Sequence, residues 1–297
     1  MKQLAILFFI TFSLFSCKEN KEEAQAVLSE SNGKINNVSI IIDDNLWNGE
    51  IGDSIRKKFA APVDGLPQEE PLFTLNQYPT KVFEGFVRKS RNIIIVKKDT
   101  KTGFSSNNNV YAKPQNVFLV SGKTTEDVLK VLEEKSAEII KTVKSAEIIE
   151  NQLRMKKSLV SDDKVQKMFG VSLEIGFGFK YDMVKDNFIW LRKEFSSGYN
   201  SILIYQVPIE KVEKDTNIIA NITAMRDEIG KANIHGTLPN TWMITEAAYA
   251  PYLFDVTVAG KKTYLTKGTW ELKNDFMAGP FVNYAIKDTK NNRYLIL

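Results

Sequence analysis

Residues 124–157 carry one strongly helical pattern, and it divides the chain into two stretches of different texture. Val128, Leu132, Ile139, Val143, Ala146 and Leu153 fall on a narrow stripe at 100° per residue, and Thr124 with Asp127 reads as a capping box at its start. The hexapeptide Lys-Ser-Ala-Glu-Ile-Ile occurs at 135–140 and again at 144–149. A nine-residue offset is about two and a half turns, so the two copies face opposite ways and are not equivalent sites.

Ahead of the helix, Val38–Ile42, Asn92–Val96 and Asn116–Val120 are short apolar runs of the kind that form buried strands. Between them, Asp44 or Asn45 is placed to cap a helix carrying Leu46, Ile51, Ile55 and Phe59 inward. A proline-rich loop over 60–71, a strand at Leu72–Leu75 and a short helix over Thr80–Arg88 follow, while polar Lys101–Asn109 reads as a mobile loop. Behind the long helix, Ser161-Asp162-Asp163 opens a further helix. Strands are then expected at Val171–Phe179, Asn187–Lys193 and Ser201–Val207, with a helix over Thr216–Asn233. The remaining strands are Trp242–Val258, Lys262–Leu272, Phe281–Asp288 and Arg293–Leu297. The predicted class is α+β: a mixed α/β layer over 35–160 ending in the long helix, then an antiparallel sheet with an inserted helix over 161–297. Tyr294-Leu295-Ile296-Leu297 ends in apolar side chains, which predicts a strand short of a partner and a truncated second domain.

The N-terminus supplies an address. Lys2 precedes a stretch of 12 mostly apolar residues, Leu4–Phe15, and then Ser16-Cys17. Such a helix is roughly 18 Å long, too short for a hydrocarbon layer of ~30 Å, so residues 1–16 read as a signal peptide. Leu14-Phe15-Ser16-Cys17 resembles the bacterial lipobox, which implies a mature chain beginning at a lipid-modified Cys17 and held at the membrane by acyl chains such as palmitate. Polar residues 17–34 read as a disordered tether. Within it, Lys21-Glu22-Glu23 resembles an acidic surface-export tag, which leaves the periplasmic and outer faces of the outer membrane both open.

The composition excludes several chemistries. One of the 40 basic residues, Lys2, leaves with the signal, so the formal charge falls from +4 to +3 with no basic block, and no nucleic-acid partner is expected. Cys17 is the single cysteine and His235 the single histidine. An intrachain disulfide, a thiol nucleophile and a His/Cys zinc site are therefore ruled out, and His235 reads as a helix C-terminal residue. Ser121-Gly122-Lys123-Thr124 mimics a P-loop end, but Val117 stands where the leading glycine belongs. No cofactor is expected. Two carboxylate pairs, Asp43/Asp44 at a strand end and Glu69/Glu70 on the proline-stiffened loop, are the candidates for acid–base work. Trp47, Trp190, Trp242 and Trp270, with Tyr199, Tyr249, Tyr252 and Tyr284, supply aromatic surface suited to glycans or peptides, although most lie in core-facing strands.

Four runs carry a family resemblance: Asp44–Asp53, Ala60–Phe73, Asp186–Arg192 and Gly268–Pro280. They are similar to a family of uncharacterised Bacteroidota lipoproteins, domain of unknown function 4837, over essentially the whole mature chain. The resemblance implies an envelope lipoprotein and supplies no activity. The element order of 165–297 also resembles that of Mog1/PsbP-like proteins, as fold alone. The expectation is a non-enzymatic lipoprotein that binds or scaffolds an envelope protein or glycan from the outer membrane. Its contact surface is expected at Trp47, Gln68, Glu69 and Glu70, and at Trp270, Asp275 and Met277. The rival is a carboxylate-dependent hydrolase of cell-wall or glycan material using Asp43/Asp44 or Glu69/Glu70.

Overall fold

The structure, a computed structural model, describes residues 28–196 and 198–297. The signal peptide, Cys17 and residues 18–27 lie outside them. The first half runs β1 (Asn37–Ile41), α1 (Asp44–Trp47), α2 (Glu50–Phe59), β2 (Thr74–Tyr78), α3 (Gly85–Arg88), β3 (Asn92–Lys98), β4 (Gly103–Asn108), β5 (Asn116–Gly122) and α4 (Thr125–Met155). These make a five-stranded sheet in the order β2-β1-β3-β5-β4, parallel except for β4. The apolar runs form its centre because buried parallel strands need apolar side chains on both faces. One face packs Ile40, Ile94 and Phe118 against α2 and α4 through Ile51, Ile55, Phe59, Leu132 and Ile139. The other packs Ile41, Ile93 and Val117 against Phe83, Val87 and Tyr111.

Several local expectations need correction. The capped helix is two helices. Its N-cap is Asp43, not Asp44 or Asn45, and the chain turns at Gly49 before α2. The close approach of α2 to α1 admits only glycine at 52, where a Cβ would lie 1.8 Å from the Trp47 carbonyl oxygen. The polar stretch 101–109 is not a loop but β4, antiparallel to β5 along one edge, and its polar side chains are tolerated there because that edge faces water. Residues 29–34 belong to the fold rather than to a tether, since the Asn32 amide donates to the Lys89 carbonyl at 2.8 Å and the Lys113 amide to that of Ser29 at 2.9 Å. The capping box of α4 is present, with Thr124 and Asp127 exchanging bonds of 3.1 and 3.2 Å. Gly122 lets β5 run into that helix, because a Cβ there would lie 2.7 Å from the Val128 amide. The P-loop-like run thus serves as a strand-to-helix corner.

The α4 stripe ends sooner than its periodicity suggests. Val128, Leu132, Ile139 and Val143 are buried, but Leu153 is exposed, and Glu147 takes the inward position in the last turns. Its carboxylate accepts from Arg91 Nε at 2.7 Å and Nη2 at 3.1 Å, from Asn92 Nδ2 at 2.6 Å and from the Asn36 amide at 2.7 Å. An ionised group survives burial only when so fully bonded.

The second half runs β6 (Leu159–Val160), α5 (Asp163–Phe169), β7 (Ile175–Gly176), β8 (Lys180–Lys185), β9 (Phe188–Phe195), β10 (Gly198–Pro208), α6 (Ile209–Glu213) and α7 (Ile218–Asn233). It continues through β11 (Trp242–Thr245), β12 (Tyr252–Val258), β13 (Lys261–Lys273), β14 (Ala278–Asp288) and β15 (Arg293–Ile296). An antiparallel sheet in the order β11-β13-β14-β15-β10-β9-β8, with β12 also on β13, gives the chain its α+β class. The strand expected at 171–179 is only the two residues of β7, and the true neighbour of β9 is β8. The single strand expected over 242–258 is two, β11 and β12. One face of the sheet packs Tyr205, Tyr264, Ala285 and Ile296 against Ile222 and Met225 of α7. The other packs Ile189, Leu191, Ile204 and Leu295 against Val165 and Phe169 of α5. Strand β15 lies inside the sheet, paired with β10 on one side and β14 on the other.

Asp288, at the end of β14, accepts from Asn291 at 2.6 Å, Arg293 at 3.0 Å and Lys261 at 3.1 Å. The Asn291 bond, helped by the two cations, outweighs the cost of desolvation and holds its carboxyl at about 2. A carboxyl depressed in the folded state stabilises it above the unfolded value and stops doing so as pH falls through the folded one. The protein is therefore expected to lose stability between about pH 4 and pH 2 more steeply than its Asp288→Asn variant, as read from urea midpoints.

Candidate binding surface

The chain turns from β13 to β14 through Asn274, Asp275, Phe276 and Met277. Asn274 has φ +64°, a left-handed conformation that asparagine tolerates. The turn leaves no inward direction for Phe276, whose ring is fully exposed, and Met277 is 43% exposed. The β9–β10 hairpin ends beside it. The Tyr199 hydroxyl donates to Met277 Sδ at 3.3 Å, and Phe195 and Tyr199 are themselves 49% and 36% exposed. Arg192 lies over both Tyr199 and Trp190, 5.2 and 5.6 Å from their ring centres. Two hairpin tips from different parts of the sequence thus present Tyr199 beside Phe276 and Met277, with Arg192 and Asp275 bringing charge of both signs, while strand alternation turns Phe195 to the other face. Exposed aromatic and methionine side chains with an adjacent arginine have the composition of interface hot spots.

Of the residues expected at a contact surface, Met277 and Asp275 are at this tip, Asp275 being half-buried. Trp270 is partly buried, packed on the α7-side core with its indole against Gly279 of β14. Trp47 is also partly buried, under the Arg56 guanidinium 4.5 Å from its ring centre. Gln68, Glu69 and Glu70 are exposed on their loop. The base of that loop rests on β13, where a Cβ at Gly65 would lie 2.7 Å from that of Lys267. Asp43 accepts from the Thr80 amide at 3.2 Å and Asp44 from Gln77 Nε2 at 2.9 Å, so both carboxylates tie α1 to the β2 region. His235 is exposed just beyond Ile234, the C-cap of α7. Among the described residues no group of three or more His, Cys, Asp or Glu side chains is placed to hold a metal ion, and no helix is long and apolar enough to cross a membrane.

Sequence reasoning held Phe276 only as part of the run Trp270–Met277 and passed over Phe195 and Arg226. A large apolar residue directly after Asn-Asp between two strands signals an exposed tip. An arginine among Ile222, Met225 and Ile229 signals a charge on the inward face of a helix. Arg226 is 6% exposed, its guanidinium 3.5 Å from the Phe281 ring centre, and its Nε has no hydrogen-bond partner among the described residues.

An open crevice of about 680 Å³ lies elsewhere, between Phe169, Gly170, Gln206 and Arg293. Arg293 is fully engaged there with Asp288, Gln206 and the Phe169 carbonyl. That crevice is open and largely polar, and its one arginine is already spent on the fold.

No curated protein and no solved structure matches the chain. Two family models do, and they divide the likeness read over the whole mature chain. Residues 31–156, which hold the runs Asp44–Asp53 and Ala60–Phe73, match the model described as Domain of unknown function (DUF8532). Residues 158–297 match Domain of unknown function (DUF4837), and that match contains both hairpin tips and Arg226.

Proposed function

We propose that this protein is a non-enzymatic binding module of the cell envelope, held at the outer membrane through lipid on Cys17 and contacting an envelope partner through the paired hairpin tips. The lipobox-like Leu14–Cys17 run supports the anchor, and the exposed cluster of Tyr199, Phe276 and Met277 carries the binding reading. A fully exposed phenylalanine at a turn adds nothing to folding and favours aggregation, so its presence there is best explained by a surface that covers it. The carboxylates that would serve hydrolysis are exposed, and Asp43 and Asp44 are used to brace α1.

The test is affinity capture from crosslinked envelopes with the parent protein and with Phe276→Ser/Met277→Ser. Both side chains are exposed, so the double variant is expected to keep its stability to within about 0.5 kcal/mol. Its recovered partner is expected to fall at least fivefold. Equal recovery by both proteins, or no partner above background for the parent, contradicts the proposal.

A further inference from the structure

The chain joins the first half of the fold along one end of its sheet. Glu30 bridges in parallel to Lys113 and Asn32 to Ser90, so residues 30–32 run between the stretches that lead into β5 and β3. On one side the Ser31 amide donates to the Lys113 carbonyl at 3.1 Å and the Lys113 amide to that of Ser29 at 2.9 Å. On the other, Asn32 Nδ2 donates to the Phe86 carbonyl of α3 at 3.0 Å and the Asn32 amide to that of Lys89 at 2.8 Å. Three separate stretches thus meet where the chain enters.

Each stretch leaves an apolar side chain in water. Val87 turns onto the core of Ile41, Ile93 and Val117, and in the single turn of α3 its neighbour Phe86 is sent outward, 70% exposed. Leu28 and Val110 are exposed on the other two stretches. The same stretches carry Lys34, Arg88, Lys89 and Lys113 on the surface against Glu30 and Glu84, an excess of positive charge. Among the described residues no carboxylate is paired with any of those cations. Exposed apolar groups accompanied by free cations suit a surface that is apolar beneath an anionic layer, as a bilayer is.

Leu28 stands 11 positions after Cys17. At no more than about 3.6 Å per residue, lipid on Cys17 holds Leu28 within roughly 40 Å of the bilayer, whatever path the link takes. So short a link gives the end of the sheet an effective concentration at the membrane on the order of millimolar, at which even a weak contact is made. We propose that this end of the first half rests on the lipid surface, with Phe86, Leu28 and Val110 entering the headgroup layer and Arg88, Lys89 and Lys113 against anionic lipid phosphates. The acyl chains on Cys17 supply the attachment, and Phe86 with its neighbouring cations sets which side of the protein faces the membrane. This rests on the reading of Cys17 as the lipid attachment site and is independent of the hairpin tips.

The test uses the full protein, extracted from membranes and reconstituted into phosphatidylcholine vesicles with about 30% phosphatidylglycerol and a nitroxide-bearing lipid as quencher. Cys17 is the single cysteine and its sulfur is taken by the lipid, so Phe86→Cys offers one free thiol for a fluorophore. Lys130→Cys, exposed near the start of α4 where that helix leaves the opposite end of the sheet, is the comparison. Quenching by the nitroxide lipid is expected to be at least threefold stronger at 86 than at 130. Adding Lys89→Glu/Lys113→Glu, both exposed, is expected to weaken the quenching at 86 at least twofold. Equal quenching at the two positions on vesicles that carry the protein overturns the membrane contact and leaves the anchor standing, and so does quenching at 86 that ignores the charge changes. A protein that does not float with the vesicles has no anchor, and the contact falls with it.

Discussion

Glu147→Leu is expected to destabilise the first half of the protein by about 3–5 kcal/mol, the cost of removing one partner of a buried ion pair. Arg91 and Glu147 are each 2% exposed, and the carboxylate collects four donors from Arg91, Asn92 and the Asn36 backbone. Leucine would leave the guanidinium with the carbonyls of Gly33 and Lys34 and only the more distant Glu150, 3.7 Å away. It would also release the Asn36 amide from α4, leaving the Arg154 bond to the Gly33 carbonyl as the remaining tie there. Urea unfolding followed by circular dichroism measures the loss. Lys144→Leu, one turn away and exposed, is the control and is expected to stay within about 0.5 kcal/mol. A Glu147→Leu loss below about 1 kcal/mol would mean that the pair contributes little.

Gly230→Ala is expected to cost about 3 kcal/mol and to displace α7. A Cβ at 230 would sit 2.3 Å from the Met243 carbonyl oxygen, a backbone atom that β11 holds in place. Overpacking against a flexible side chain relaxes cheaply, but against paired backbone the helix itself must move. Arg226 stands one turn earlier on the same helix, so its contact with Phe281 should loosen too. Gly103→Ala, where nothing lies within 4 Å, should change stability little. Equal stability for the two variants would show that α7 is not seated as closely as the geometry requires.

The elements legible in the sequence were those in which periodicity and burial agree. The apolar runs at 38–42, 92–96 and 116–120 became β1, β3 and β5, and the helix beginning at Thr124 starts with its capping box in place. Where polar residues do structural work, periodicity misled. Ala146 and Leu153 fit the stripe, yet Glu147 is the residue turned inward, because its partner Arg91 lies 56 positions away. Residues 101–109 look like a loop because an edge strand exposed to water needs no apolar face. The tip residue Met277 and its neighbour Asp275 were accessible from the run after Trp270. Their meeting with Tyr199 was not, because it depends on how two hairpins 78 residues apart are set by the sheet.

A photo-crosslinking phenylalanine analogue placed at 276 tests the binding surface most directly, with the same analogue at Lys144 on exposed α4 as the comparison. Irradiation of intact cells is predicted to give one discrete crosslinked species from position 276 and none from 144. The same faint ladder from both positions, or no species from 276, would contradict the assignment of the hairpin tips as the protein's contact surface.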